Sequence, residues 1–404
     1  MKRILTVFSL LLLVVSLAGK SVTGQNSPKN KIDKNRYDVA AFVWPSYHPD
    51  DRAKIFWPGG IGEWETVMKD APKYEGHLQP RQPLWGYINE ADPYVAEMEI
   101  NAAADHGVNV LIFDWYWYDG MPFLEGHLND GYLKARNNDR VKFYLMWANH
   151  DVNMTWDKRN AGKPNESIIW KAAVDRKEFE IICNRVIEKY FKHPSYYKID
   201  GKPSFMIYEL EQLISGLGGV NETMDALNWF REQTVKAGFK GLDLQVTLRR
   251  NDYNLTGIDG KKMGNQTEII ERLGFDGLTH YQFVHFLYID RDYSEIMEDV
   301  QKEWRILNNE FEIPYYPHIS VGWDNNPRFE MFRPGVVKNN TPENFEKALR
   351  VAKEYADAHP GQVPLITINS WNEWTETSYL MPCTLYGYGY LKAVRNVFGN
   401  GEKY

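Results

Sequence analysis

Eight short apolar runs rich in β-branched and aromatic residues recur along the chain: Val39–Trp44, Val108–Trp117, Val141–Asn149, Ser204–Glu209, Leu242–Thr247, Gly277–Tyr281, His318–Trp323 and Leu365–Trp371. Stretches with apolar positions at helical spacing separate most of them, among them Tyr94–Asp105, Ala173–Phe191, Met224–Ala237, Ser294–Leu307 and Pro342–Ala358. Strand then helix, repeated eight times, predicts an α/β protein whose parallel sheet closes into a (β/α)8 TIM barrel. Long polar insertions follow the first strand (Pro45–Asp92), the third (His150–Lys171) and the fifth (Leu248–Glu268). In such a barrel these are the strand-to-helix loops that build the active face.

The last run carries the sharpest chemistry. In P-L-I-T-I-N-S-W-N-E-W-T-E, Ile366 and Ile368 share one face, while Thr367, Asn369, Trp371 and Glu373 share the other. With the isoleucines against outer helices, Glu373 points inward at the carboxyl end. Glu376 is at an odd offset, so an unbroken strand would set it on the opposite face, about 10 Å away. Cooperation between the two acids therefore requires the chain to curl near Trp374 and Thr375.

Other strand ends supply candidate partners. Trp44, Tyr47 and His48 follow strand one, and F-D-W-Y-W-Y ends strand two with Asp114 and Tyr116 on one face and Trp115 and Trp117 on the other. Asn149 and His150 end strand three, Tyr208 and Glu209 strand four, and Thr279, His280 and Tyr281 strand six. Strand seven sets His318, Ser320, Gly322 and Asp324 on its inward face, beside Trp323. After it, Asn325, Asn326 and Arg328 either bind substrate hydroxyls or cap a loop. Aromatic residues make up 14% of the chain, with 14 Trp and 25 Tyr, and polar-tipped rings at strand ends suit a sugar-binding cleft.

The amino end, M-K-R followed by an apolar run from Ile4 to Val15 and small residues to Gln25, is expected to be a signal peptide over residues 1–24, too short to span a membrane. Residues 25–36 are expected to be a disordered lead-in, and 37–404 a single domain. Loss of Lys2, Arg3 and Lys20 takes the formal net charge from −7 to about −10, which disfavours nucleic acid and anionic membranes as partners. The two cysteines, Cys183 and Cys383, are expected to stay free. Six N-glycosylation sequons begin at Asn153, Asn165, Asn221, Asn254, Asn265 and Asn339. No dinucleotide, Walker, nucleophile-elbow or zinc motif occurs, so no cofactor and no metal are expected.

W-N-E-W-T-E, with Tyr379, Leu380 and Pro382 close behind, resembles the WbsX-like proteins and glycoside hydrolase family 99; looser echoes occur in Y-K-I-D-G-K-P (197–203) and G-W-D-N-N-P-R (322–328). The resemblance implies a (β/α)8 barrel acting on glycans, with Glu373 and Glu376 as the catalytic carboxylates of a retaining, endo-α-mannosidase-like enzyme. Where the WbsX-like pattern usually has Glu, this chain has His150, which implies a changed substrate contact or a different sugar. The expected substrate contacts are Trp44, Tyr47, Asp114, Trp115, Tyr116, Asn149, His150, Tyr208, His280, Tyr281, Trp323, Asp324, Asn372, Trp374 and Tyr379. A secreted or periplasmic, monomeric glycoside hydrolase is the expectation, with a carbohydrate as its partner. A non-catalytic glycan-binding barrel and a glycosyltransferase are the alternatives, and both acids being present counts against the first.

Overall fold

The structure, a computed structural model, describes residues 37–160, 168–249 and 254–399. The expected leader and lead-in, and the sequon at Asn165, lie outside the described residues. Eight strands form a parallel barrel: β1 (Asp38–Val43), β2 (Val110–Tyr118), β3 (Lys142–Trp147), β4 (Lys202–Ile207), β5 (Asp243–Leu248), β6 (Gly277–His280), β7 (His318–Ser320) and β8 (Leu365–Asn369). β1 to β6 pair in sequence order, β7 pairs with β8, and β8 pairs with β1 through Asp38↔Leu365 to Ala41↔Ile368. The β6–β7 seam is the weakest. It is held by a single parallel bridge, Leu278↔Tyr315, ahead of β7.

Five of the eight helices that follow start at a side-chain cap. α1 (Pro93–Asp105) has Pro at its first turn and Asp92 accepting from the Tyr94 amide; α2 (Arg176–Val186) is capped in the same way by Asp175. After β4 come α3 (Leu210–Leu217) and α4 (Val220–Lys236); α5 (Gln266–Leu273) follows β5 with Asn265 as its cap. α6 (Tyr293–Glu310), α7 (Pro342–Ala358) and α8 (Gly389–Phe398) complete the ring. Between β2 and β3 the crossover is a short helical segment, a π turn over His127–Gly131 running into a 3-10 turn over Tyr132–Lys134.

The barrel interior is packed and partly polar. Thr279 and Thr367 share a 2.7 Å hydrogen bond, His318 bridges Thr367 and Ser320 at 3.0 Å each, and the Tyr144 hydroxyl donates to Gln245. Such groups are affordable inside only because each finds a partner. Cys183 and Cys383 are both buried and free.

Candidate active site

β8 ends earlier than alternation alone predicts. After Asn369 the chain leaves the barrel wall, so Trp371 turns outward and its indole donates to Glu99 on α1 at 3.1 Å. Asn372–Glu373 then pairs antiparallel with Ser378–Tyr379 around a tight turn over Trp374–Glu376. Thr377 closes the turn at φ 55, a left-handed conformation costing a β-branched residue on the order of 1–3 kcal/mol. Its hydroxyl offsets part of that cost by donating to the Asp324 carbonyl at 3.1 Å and accepting from Gln79 at 2.7 Å. This hairpin is the curl that brings the two acids together.

Both acids meet on one cation. Arg328 Nη1 donates to Glu376 Oε1 at 2.8 Å and Nη2 to Glu373 Oε1 at 3.0 Å, while its Nε lies 3.5 Å from Glu63 Oε1. Glu63 is delivered by the first long loop through a position only glycine fills. At Gly62 (φ +65) a Cβ would stand 1.8 Å from the Ser46 carbonyl that receives the Glu63 amide. Burial, and then repulsion from Glu376, push the Glu373 pKa well above the carboxylate range, with Arg328 opposing. Burial also raises Glu376, but Arg328 bears on it harder, through charge and hydrogen bond together.

Arg328, Glu373 and Glu376 line an open cavity of about 380 Å³ at the carboxyl ends of the strands, with Glu63 buried behind Arg328. Asp114 enters from β2; its Oδ2 accepts from Tyr281 at 2.8 Å, its Oδ1 has no protein partner, and burial raises its pKa well above the usual range. Trp44, Tyr116, Trp156 and Tyr208 supply the aromatic wall, with ring contacts of 5.1 to 5.9 Å linking Trp156 to Trp44 and Tyr116. His150 stands among Tyr116, Trp156 and Tyr208, and burial lowers its pKa to about 4, so it is a neutral imidazole at pH 7. On the far rim Arg249 pairs with Glu209 and lies 4.9 Å over the Tyr208 ring.

Of the residues expected at the site, Trp44, Asp114, Tyr116, His150, Tyr208, Tyr281, Glu373 and Glu376 line this cavity. The others do not, and each is held elsewhere for a physical reason. Trp115 points outward, donating to Glu125 at 2.8 Å, as the face opposite Asp114 must. His280 also points outward, against Tyr315 and Phe286. Asn149 holds the Glu209 backbone, and Asn372 links the Trp44 backbone to Glu90. The Tyr47 hydroxyl accepts the Trp374 amide, and Trp374 stacks on Tyr379 at 3.9 Å, so all three support the hairpin from behind. Asp324 is bound by His77 and Gln79, and Trp323 packs half-buried on the core.

Sequence reasoning missed Glu63, Asp151, Trp156, Gln212 and Arg249, and named Glu209 and Arg328 without assigning them to the site. Arg249 directly follows β5, a strand-end position that could have flagged it. Glu63 and Trp156 sit in long aperiodic loops and carry no such signal.

The comparisons agree with this architecture. A family model described as "Glycosyltransferase WbsX" matches residues 39–394. The chain is 25% identical over 364 residues to the uncharacterized protein WxcX of Xanthomonas campestris pv. campestris strain B100, and 24% over 374 residues to its counterpart in strain ATCC 33913. In each case the match covers 88% of this chain and 49% of the relative, so the chain spans about half the length of these curated relatives. Among solved structures, the GH99 endo-alpha-mannosidase from Bacteroides thetaiotaomicron superposes with a TM-score of 0.54 at 13% identity, covering 90% of this chain and 96% of that one. A structure titled "Glycoside hydrolase-like protein" gives 0.54 at 16% identity, covering 92% and 97%. At such identities the likeness shows the fold alone, a TIM barrel.

Proposed function

This chain belongs to the WbsX family, and we propose that it is a retaining, α-mannosidase-like glycoside hydrolase that cleaves O-glycosidic bonds in an oligo- or polysaccharide. One observation carries the proposal: two buried carboxylates of unlike environment, Glu373 and Glu376, share Arg328 on the floor of an aromatic-walled cleft. Acid and base roles require carboxyls whose pKa values are shifted toward neutrality, and burial does that to both.

General retaining chemistry uses one carboxylate as nucleophile. The family resemblance favours a different route, in which Glu373 removes the proton of the sugar's own 2-hydroxyl, and that oxygen attacks the anomeric carbon. Glu376 protonates the departing glycosidic oxygen and then takes a proton from water, which opens the 1,2-anhydro sugar at C1 while Glu373 returns its proton to O2, with net retention. In the free cleft Glu373 is the more strongly raised carboxyl and Glu376 the one held down by Arg328, so substrate entry must shift Arg328 from Glu376 toward Glu373 for the acid to hold its proton and the base to lose one. Arg328 then remains near the sugar as a fixed positive charge beside the base.

The family's descriptive name favours a second outcome for the same acids, transfer to an acceptor hydroxyl in place of water. Incubation with mannose-, rhamnose- and glucose-containing polysaccharides, with and without added acceptor sugar, separates the two. New reducing ends with retained anomeric configuration by proton NMR support hydrolysis, and acceptor-linked products support transfer. Absence of both with every glycan overturns the proposal. Export is part of the same proposal, supported by the basic and apolar order of Met1–Gln25. An intact mass from the native host lacking roughly 18–25 residues tests it.

A further inference from the structure

A second, smaller cavity of about 120 Å³ opens on the outer side of the first long loop, apart from the acids. Trp57, Glu65, Thr66, Asp157 and Arg159 are among its lining. Two of these carry buried polar atoms with no partner in the protein: the indole Nε1 of Trp57, 2% exposed, and Oε1 of Glu65, 8% exposed. Such atoms are costly to leave unmet and point to a ligand that supplies both an acceptor and a donor. The Glu65 oxygen faces the space above Gly59, where an added Cβ would lie 2.7 Å from it. Arg159 is anchored by the buried Asp157 at 2.7 Å while most of its side chain stays exposed.

An aromatic partition stands between this cavity and the catalytic one. Trp156 lines the large cavity, where it meets Trp44 at 5.1 Å and His150 at 5.8 Å. Its opposite side meets Phe56 at 5.5 Å and stacks on Trp57 at 6.3 Å and 10°. Aromatic rings flanked by a few fixed donors and acceptors are what a pyranose needs, since its CH faces are apolar and its hydroxyls both give and accept.

We propose that the outer cavity is a second sugar-binding subsite, taking a residue of an extended neutral glycan beyond the bond that is cut. This rests on the glycoside hydrolase proposal for the main cleft. It makes the substrate a chain and not a single glycoside: one hydroxyl of the distal residue donates to Glu65 and another accepts from Trp57.

The test uses linear α-linked manno-oligosaccharides of increasing length on the purified protein and on Glu65→Gln, Trp57→Phe and Gly59→Ala. None of these residues lines the catalytic cavity. For the unaltered protein kcat/KM should rise about tenfold or more once the chain reaches the outer cavity, the scale of one hydrogen bond to a charged group. In the variants that gain should shrink to about twofold, with turnover of the shortest cleaved substrate retained. Gly59→Ala keeps Glu65 and only fills its cradle, so it reports the subsite even if Glu65→Gln proves unstable. An unchanged length dependence in all three variants overturns the subsite. If no length is cleaved, the hydrolase proposal fails separately; calorimetric binding of the same oligosaccharides then decides the subsite, equal affinity for unaltered protein and variants overturning it.

Discussion

Replacing Arg328 by Met keeps much of the side-chain volume and removes the charge shared by Glu63, Glu373 and Glu376. A unit charge about 4 Å away contributes on the order of 4 kcal/mol at an effective dielectric of about 20. Shared between two interacting carboxyls and reduced by relaxation, the loss of that charge pushes both carboxyl pKa values further up. Glu373 and Glu376 already sit above their unfolded value of 4.5, so Arg328→Met should shift both further toward the protonated form. The base is then lost, and turnover at pH 7 should fall by about 100-fold or more, with the acid limb of the pH–rate profile displaced upward.

Stability should follow the same logic. A carboxyl whose pKa rises on folding favours the native state below its unfolded value and loses that contribution as pH climbs through the folded one. Arg328→Met should therefore unfold near the unaltered temperature at pH 4.5 and be roughly 3–5 kcal/mol less stable at pH 8, the cost of breaking a buried ion pair from one side. Thermal melts across that range, with the infrared carboxyl C=O band at neutral pH, provide the assay. Equal destabilisation at both ends, no gain in the protonated-carboxyl band, or an unshifted acid limb would refute the electrostatic argument.

Glu373→Gln and Glu376→Gln should each lower turnover at least ~100-fold while substrate affinity by calorimetry changes little, since the amides keep shape and lose acid–base function. Tyr116→Ala and Tyr208→Ala should weaken glycan binding and also lower the melting temperature, since both rings are buried in the cavity wall, whereas Trp115→Ala, which removes an outward-packed ring bonded to Glu125, should lower the melting temperature and spare binding. His127, buried between Glu90 at 3.0 Å and Glu99 at 3.1 Å, would be lowered by burial alone, but the two carboxylates outweigh this and lift its pKa to about 10. Its stabilisation is present in full below the unfolded pKa of 6.5 and is lost as pH rises through about 10. His127→Gln should cost roughly 3–5 kcal/mol at pH 6.5 by denaturant titration, and the gap to the unaltered protein should narrow toward pH 10.

Periodicity made the barrel legible, because burial of a strand and amphipathicity of a helix are written in nearest-neighbour spacing. All eight expected strands occur, and alternation separated Asp114 and Tyr116 from Trp115 and Trp117 before any coordinates, since a pleated strand has only two faces. The same rule failed beyond Asn369. There the chain stops being a strand, and Trp371 turned away from the site while the hairpin carried Glu373 inward by another path. His280 failed for a related reason, a strand-end residue on the outward face. What only the tertiary structure decided is convergence. Glu63 from the first loop, Arg328 from the seventh and the acids from the eighth meet within one guanidinium's reach, across hundreds of residues of sequence. Local spacing holds no record of that meeting. It is set by barrel closure, and the raised carboxyl pKa values follow from the burial and mutual repulsion that closure imposes.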